Sequence, residues 1–174
     1  SNAAQLVNLD EDSDDFGMLS RGEDFDEGKI HPHDELWWDR NLEKAVQTHS
    51  KGADPRLMGE FTLEDGTPVK PGFQLLVDRV KDYTPEWAAD ITGIPVETIR
   101  RLAYEMGITA RDEKIELPIA WTDTWGKDHE SITGNPVSFH AMRGLAAHSN
   151  GFQTIRALSI LMSILGTIDR PGGF

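Results

Sequence analysis

The chain has 174 residues and a formal net charge of −13. This length suits one domain or a large part of one. The absence of cysteine excludes disulfides, thiolate zinc sites and iron–sulfur ligation within these residues. The acidic balance argues against a nucleic-acid partner, because phosphate binding needs a basic surface. The longest apolar run, 157–168, is shorter than the roughly 20 residues of a membrane span, so no direct membrane insertion is predicted.

The N-terminal part is predicted to be an acidic segment with a β-hairpin, residues 4–71, after a tag remnant at 1–3. Residues 10–35 hold eleven acidic and two basic side chains, which favours a solvated surface segment. His31 and His33 flank a proline there, but the histidines do not cluster at metal-ligand spacing, so no metal site is predicted. The remaining residues, 72–174, are predicted to be helical and α/β.

The pattern of residues predicts a series of elements in chain order. Asp65-Gly66 predicts a hairpin turn, and the prolines after it confine the second arm to an edge or a short pairing. Gly93 and Gly107 are predicted to end two helices, the second with an apolar stripe of Val96, Ile99, Leu102, Ala103 and Met106. The predicted elements are a strand at 35–39, a helix at 41–49, the hairpin at 59–73, and helices at 73–83, 85–92 and 95–106.

The last third alternates between strand and helix patterns. A strand at 114–121, a polar loop at 122–135, a second strand at 136–144 and a loop at 145–150 precede a helix at 151–165. Strand, loop and helix form the half-unit of an open α/β sheet, so the predicted fold class is α/β, a partial open sheet with flanking helices and a β-hairpin. Ligands of such sheets bind at strand ends beside helix N-termini, which here means residues 143–156.

The start of that last helix has the composition of an anion site. Its first-turn N–H groups and partial positive charge attract anions, with Ser149 or Asn150 as N-cap. Gly151 would admit a phosphate close to the backbone, and Gln153 lies near Arg156 on one face. The helix is apolar nearly all round, which predicts deep burial. Two plainer interpretations stay open: Arg156 pairs with Asp123 or Asp169, and His148 is an ordinary hydrogen-bonding loop residue.

Two stretches carry a resemblance to a known family. "YTPEWAADITGIPVETIRRLAYEMG" and "HAMRGLAAHSNGFQTIRALSILMSILGTIDRPGGF" resemble the molybdopterin oxidoreductases of the dimethyl sulfoxide reductase family. "GEFTLEDGTPVKPGFQLL" and "ELWWD" look like the thiosulfate and polysulfide reductase branch. The resemblance implies a piece of a larger cofactor-binding domain in the catalytic subunit of an enzyme acting on thiosulfate, polysulfide, sulfite or tetrathionate.

The resemblance also implies the cofactors and partners of the complete protein. These are bis(molybdopterin guanine dinucleotide) with molybdenum or tungsten, a [4Fe–4S] cluster outside this chain, an iron–sulfur electron-transfer subunit and a membrane anchor subunit. The cytoplasmic and periplasmic membrane faces both stay open, and these 174 residues alone are expected to be inactive and to hold no cofactor. Implied catalytic residues are Arg143, Arg156 and His148, and implied cofactor-binding residues are Ser149, Asn150, Gly151 and Gln153.

Several alternatives stay open beside this interpretation. The parent could be a formate dehydrogenase-like member of the same family. The chain could also be a non-catalytic interaction module whose acidic segment docks a basic partner. Residues 88–105 resemble a helix-turn-helix, although Arg100 and Arg101 supply little basic charge for DNA. The insert with Trp121, Asp123, Trp125 and His129 either lines a substrate channel or packs over a neighbouring domain.

Overall fold

The computed structural model describes residues 2–22, 35–48, 50–123 and 126–173, so His31, His33, Trp125 and residues 23–34 of the acidic stretch lie outside it. The chain divides into two compact units, Ser1–Thr84 and Pro85–Phe174. The boundary predicted at residue 71 falls inside the first unit. The described residues form small open antiparallel sheets and five α-helices, which confirms the predicted α/β class.

The first unit is built on a three-stranded antiparallel sheet and a separate hairpin. Leu6 and Val69, on adjacent strands, are almost completely buried and form the centre of its core. The sheet has the order β1-β5-β4, and β2 pairs with β3. The elements are β1 (Leu6–Asn8), β2 (Leu36–Asp39), β3 (Lys44–Gln47), β4 (Phe61–Thr62), β5 (Pro68–Pro71) and α1 (Gly72–Val80).

The predicted hairpin at Asp65-Gly66 is confirmed as β4 and β5. Thr67 donates its N–H to the Asp65 carboxylate at 2.9 Å, and Gly66 has a φ of +93°, as such a turn requires. Strand β5 lies at the centre of its sheet, so the predicted edge position is wrong. The alternative prediction, a short pairing, is confirmed, because β5 pairs with β4 over only two residues. Pro68 and Pro71 are tolerated because they occupy the two ends of β5.

The helix predicted at 41–49 is wrong, because residues 44–47 form strand β3. The Asp39 carboxylate accepts hydrogen bonds from the N–H groups of Asn41 and Leu42, both at 2.8 Å, and so turns the chain sharply. Glu43 then has a φ of +50°, a left-handed conformation that a helix cannot contain. The chain therefore leaves the turn in position to pair back on β2.

Asp39 is expected to make the first unit sensitive to acid. It is 1% exposed, and the N–H groups of Leu42 and Asp54 are the main reason that its pKa lies below the ordinary 3.8. Because the folded pKa is the lower one, the stabilisation is present above about pH 4 and is lost as pH falls through the folded value. Asp39→Asn should lower the thermal midpoint at pH 7 by several degrees, and this difference from wild type should shrink below pH 3.8.

Circular dichroism melts between pH 7 and pH 3 test this expectation. Asp90→Asn, at an exposed position of the second unit, is the control and should follow the wild type throughout. If the thermal midpoint of the wild type exceeds that of Asp39→Asn by the same amount at pH 3 as at pH 7, the lowered pKa of Asp39 is contradicted.

The second unit combines three helices of eight or more residues with two two-stranded sheets and one short helix. Strand β6 pairs with β9, and β7 pairs with β8, all antiparallel. Its elements are α2 (Pro85–Thr92), α3 (Val96–Asp112), β6 (Ile115–Leu117), β7 (Trp121–Thr122), β8 (Asp128–His129), β9 (Ile132–Gly134), α4 (Arg143–Ala146) and α5 (Gly151–Leu165).

The predicted starts of α2 and α3 are confirmed, but the predicted end of α3 is not. Gly93 follows α2 with a φ of +72°, the left-handed conformation of a helix stop. Helix α3 continues through Gly107 to Asp112, since a glycine inside a helix is only mildly unfavourable. Its predicted stripe is buried only in part, because Leu102 remains 45% exposed and Ala110 is the residue of α3 that is buried.

Gly107→Ala is therefore expected to stabilise the chain by about 0.5–1 kcal/mol. Among the residues that the structure describes, no heavy atom lies within 4 Å of the position a Cβ would take there. Gly93→Ala, the control, should destabilise because its φ of +72° disfavours any side chain. Thermal unfolding of both variants tests this, and a loss of stability in Gly107→Ala would contradict the continuous helix.

The strand predicted at 136–144 is wrong, and the predicted loop at 122–135 contains the strands instead. Strand β9 is the partner of β6, and Asn135 then diverts the chain. The Asn135 amide donates to the carbonyls of Leu165 at 3.0 Å and Gly166 at 2.7 Å, so it caps the C-terminus of α5. Residues 136–142 reach α4 without strand structure.

Candidate cofactor-binding site

The predicted site lies on α4, the turn at 147–150, and the first two turns of α5. Helix α5 spans Gly151–Leu165, which confirms the prediction. Gly151 donates its N–H to the His148 carbonyl at 2.9 Å, and Thr154 donates to the Asn150 carbonyl at 3.1 Å. The side chain of Asn150, the N-cap residue, makes no capping hydrogen bond. The start of α5 is therefore held by backbone contacts, and the Asn150 side chain is left for other partners.

Gly151 has a packing role in the structure, and its predicted approach to a phosphate stays a prediction. It is buried, and a Cβ at this position would overlap the carbonyl group of Ala146, so the glycine is required for α5 to pack on α4. Its N–H is already bound by His148. Among the hydrogen bonds of the described residues, none involves the N–H groups of Phe152 and Gln153. These two groups are the backbone donors that an anion could reach.

Most side chains of the predicted site are exposed to solvent. The deep burial predicted for α5 is wrong, since its buried residues are Gly151 and Met162, while Phe152 is 76% exposed. Within this unit α5 contacts mainly α3 and α4, too little surface to cover a helix that is apolar all round. The exposed members of the predicted site are Arg143, His148, Ser149, Asn150, Gln153 and Arg156.

The two arginines of the site lack a counter-ion within the described part of the chain. Among those residues, no carboxylate lies within 4.0 Å of Arg143 or Arg156. The proposed partner Asp123 instead pairs with His129, at 3.0 Å. Both guanidinium groups can therefore accept an external anion, for which their planar fork of donors suits phosphate and carboxylate oxygens.

The charge of the site also differs from that of the rest of the chain. Residues 131–174 contain three arginines and one carboxylate, Asp169, in a chain whose net charge is −13. The C-terminal quarter is therefore a part of the chain where a multiply charged anion meets little repulsion. Arg100 and Arg101, the arginines of the helix-turn-helix alternative, pair instead with Glu86 at 2.6 Å and Glu105 at 2.9 Å.

The insert before the site is organised by one aromatic pair. Trp121 and His129 stack with ring centroids 4.6 Å apart, and His129 Nε2 lies 3.0 Å from the Asp123 carboxylate. Trp121 also donates its indole N–H to the Ser131 carbonyl at 3.0 Å. These contacts hold the β7–β8 hairpin together. Whether the hairpin lines a channel or packs over another domain stays a prediction.

Sequence reasoning missed two residues that position the site. Asn135 caps the far end of α5, and Lys114 donates to the Asn135 side chain at 2.6 Å and to the Ala110 carbonyl at 2.7 Å. Together they tie α5 to the end of α3. The Gly-Asn-Pro sequence at 134–136 is a turn signal that could have drawn attention to Asn135.

Comparison with known proteins places the chain in a family, although no family model matches it. It is 66% identical, over its whole length, to a sulfite dehydrogenase subunit of Allochromatium vinosum, of which it covers 18%. It is 39% identical over 66 residues, 38% of the chain and 7% of the relative, to the arsenate respiratory reductase molybdopterin-containing subunit of a Shewanella species. Over 90 residues it is 31% identical to dimethyl sulfoxide reductase of Escherichia coli, covering 52% of the chain and 8% of the relative.

The chain belongs to the molybdopterin oxidoreductase family. It spans less than a fifth of the length of these relatives. Membership of the molybdopterin oxidoreductases implies a molybdenum or tungsten pterin cofactor for the complete protein. Within the described residues, no group of three or more histidine or acidic side chains could hold a metal ion, and no helix combines the length and apolarity needed to cross a membrane.

Proposed function

We propose that the full-length protein is the catalytic subunit of a molybdenum- or tungsten-dependent oxidoreductase that oxidises sulfite. The observation that supports this is the 66% identity, over the whole chain, to a sulfite dehydrogenase subunit. Sulfite oxidation takes an oxygen from water and releases sulfate, two protons and two electrons. The pterin-bound metal, when present, supplies the redox chemistry, and the protein supplies binding, orientation and charge placement.

The part of this chain in that function is to hold a phosphorylated cofactor and to keep the region near it positive. The guanidinium groups of Arg143 and Arg156, exposed and without a carboxylate partner among the described residues, fit the phosphates of a pterin guanine dinucleotide. The first-turn N–H groups of α5 fit the same charge. The amides of Asn150 and Gln153 can hydrogen-bond neutral parts of such a ligand.

His148, together with whichever arginine does not hold a phosphate, is proposed to face the oxyanion substrate. The imidazole of His148 is exposed beside the start of α5, where it can donate a hydrogen bond to a ligand oxygen. A sulfite or sulfate oxygen accepts such a bond and also pairs with a guanidinium. Ser149 adds a hydroxyl donor in the same turn. We also propose that the pterin cofactor has the guanine dinucleotide form and that the full-length protein holds a [4Fe–4S] cluster outside this chain. Its proposed partners are an iron–sulfur electron-transfer subunit and a membrane anchor subunit.

Sulfite-dependent reduction of an artificial electron acceptor by the purified full-length protein tests the proposal. We expect turnover with sulfite, and less with thiosulfate, tetrathionate, polysulfide or formate. Formate is the substrate of the alternative interpretation within the same family. A protein that contains its metal but turns over formate and not sulfite would contradict the substrate assignment. A metal-loaded protein that turns over none of these compounds would contradict the proposed reaction.

A further inference from the structure

The first unit contains a second pair of arginines that line one cavity, far along the chain from α5. A cavity of about 440 Å³ is lined by Arg40, Pro55, Arg56, Leu57 and Met58. Its lining is thus two guanidinium groups and three apolar side chains. This combination is typical of a small-molecule site, in which a few charged groups orient a ligand against an apolar wall.

Two adjacent extended segments place the arginines on the same face. Arg40 donates its N–H to the Asp54 carbonyl, and Arg56 donates to the Trp38 carbonyl, both at 2.9 Å. Asp39 lies opposite Pro55 between these two bonds. Because side chains alternate along extended chain, Arg40 and Arg56 point to the face opposite Asp39.

The buried carboxylate of Asp39 fixes this arrangement from the other side. One of its oxygens accepts the N–H of Asp54 at 2.8 Å, and the other accepts those of Asn41 and Leu42. The two segments that carry the arginines are therefore joined by a buried ionic hydrogen bond. The site is preorganised before any ligand arrives.

Each arginine lies within ion-pair range of one carboxylate, but among the described residues neither donates a charge-assisted hydrogen bond to it. Arg40 lies 3.6 Å from the Asp54 carboxylate, and Arg56 lies 3.8 Å from that of Glu43. Both distances exceed the roughly 2.7–2.9 Å of a charge-assisted hydrogen bond. The Nε atom of Arg56 is buried and has no hydrogen-bond partner among the described residues. This N–H group therefore has no competing acceptor among the described residues.

The segment that carries the cavity has a small surplus of positive charge, which comes from Lys44 and Lys51 because Glu43 and Asp54 lie within ion-pair range of the two arginines. Residues 40–58 contain four lysines and arginines but only two acidic residues, Glu43 and Asp54, whereas the whole chain has a net charge of −13. Leu57 and Met58 are 41% and 46% exposed beside the guanidinium groups. An apolar body on the ligand would cover these side chains.

We propose that Arg40 and Arg56 bind a dianionic oxyanion group carried on an apolar body, of the phosphate-monoester class. Two guanidinium groups match the three terminal oxygens of such a group, and Leu57 and Met58 receive the body. This site is independent of the proposed sulfite oxidation, because none of its residues belongs to the α4–α5 region.

Calorimetric titration of the full-length protein with phenyl phosphate and with inorganic phosphate tests the proposal. We expect Arg40→Gln and Arg56→Gln each to weaken phenyl phosphate binding roughly tenfold or more. Arg56→Lys keeps the positive charge but loses the planar pair of guanidinium donors. Its affinity for phenyl phosphate should therefore lie between that of Arg56→Gln and that of the wild type. Arg79→Gln, an exposed arginine of α1 outside the cavity, is the control and should bind like the wild type. Other anion sites of the protein contribute equally to all variants.

Inorganic phosphate should bind more weakly than phenyl phosphate, because it lacks the apolar body. Equal affinity for the two ligands would overturn that part of the assignment. Unchanged phenyl phosphate binding in both glutamine variants, or no binding to the wild type, would overturn the site itself. The thermal midpoints of the variants verify that a lost affinity does not result from unfolding.

Discussion

Replacing both Arg143 and Arg156 by glutamine is expected to lower the sulfite kcat/KM of the full-length protein roughly 100-fold. Both guanidinium groups are exposed and lack a carboxylate partner among the described residues, so their charge is available to a phosphate or an oxyanion. A charge-assisted hydrogen bond contributes about 1.5–3 kcal/mol, and glutamine keeps a hydrogen-bonding group without the charge. Initial rates at varied sulfite concentration, with an artificial electron acceptor, measure the effect.

Arg170→Gln is the matched control for this double variant. It removes one positive charge, as each single variant does, from the same C-terminal quarter and at an exposed position outside α4 and α5. It should keep the wild-type kcat/KM. The two single variants then show which arginine contacts the substrate, since that one should raise KM for sulfite more strongly. A double variant with wild-type kinetics would contradict the assignment of the site to this region.

Gly151→Ala is expected to destabilise the second unit by about 3 kcal/mol. A Cβ at Gly151 would overlap the Ala146 carbonyl, and both partners are backbone, so neither can move without displacing α4 or α5. For a protein of this size, that loss corresponds to a fall of about 6–12 °C in the thermal midpoint. Thermal unfolding by circular dichroism measures it.

Gly144→Ala is the control for the packing of α4 on α5. It lies in α4, and among the described residues no atom is within 4 Å of the position that its Cβ would occupy. The substitution should therefore leave the thermal midpoint unchanged or raise it slightly. Equal midpoints for Gly151→Ala and Gly144→Ala would contradict the close approach of the two helices.

Elements with their own start and stop signals could be predicted from the sequence. Helix α2 begins at Pro85 and ends before Gly93, and the β4–β5 hairpin turns at Asp65-Gly66. Each signal acts through local backbone geometry, which the neighbouring residues determine. The helix start at Gly151 belongs to the same group.

Features set by distant contacts could not be predicted. Strand β3 depends on the Asp39 carboxylate turning the chain, and the chain after β9 depends on Asn135 reaching the end of α5. Gly107 could not mark the end of α3, because only its φ distinguishes a stop from an interior glycine. The burial of α5 was overestimated because an apolar helix indicates only that its side chains pack against some protein surface. The sequence does not indicate that this surface lies within these 174 residues.

The candidate site, too, could be predicted from the sequence only where it depends on local features. Its composition could be predicted, because the start of α5 and the residues before it are local features. That Asp123 would not pair with Arg156 could not be predicted, since Asp123 is taken by His129 across a hairpin. The cavity at Arg40 and Arg56 was missed because these residues are separated by a turn and a strand. A surplus of basic residues at 40–58 was the available signal.

The proposed function depends on α4 and the start of α5 holding a phosphorylated pterin. The most direct test is the guanine nucleotide and molybdenum or tungsten content of the full-length protein, measured beside that of the Arg143→Gln/Arg156→Gln variant. We expect the wild type to contain both metal and guanine nucleotide, and the variant to contain much less of each. A wild type without either, or a variant that retains the full amount of both, would contradict this role.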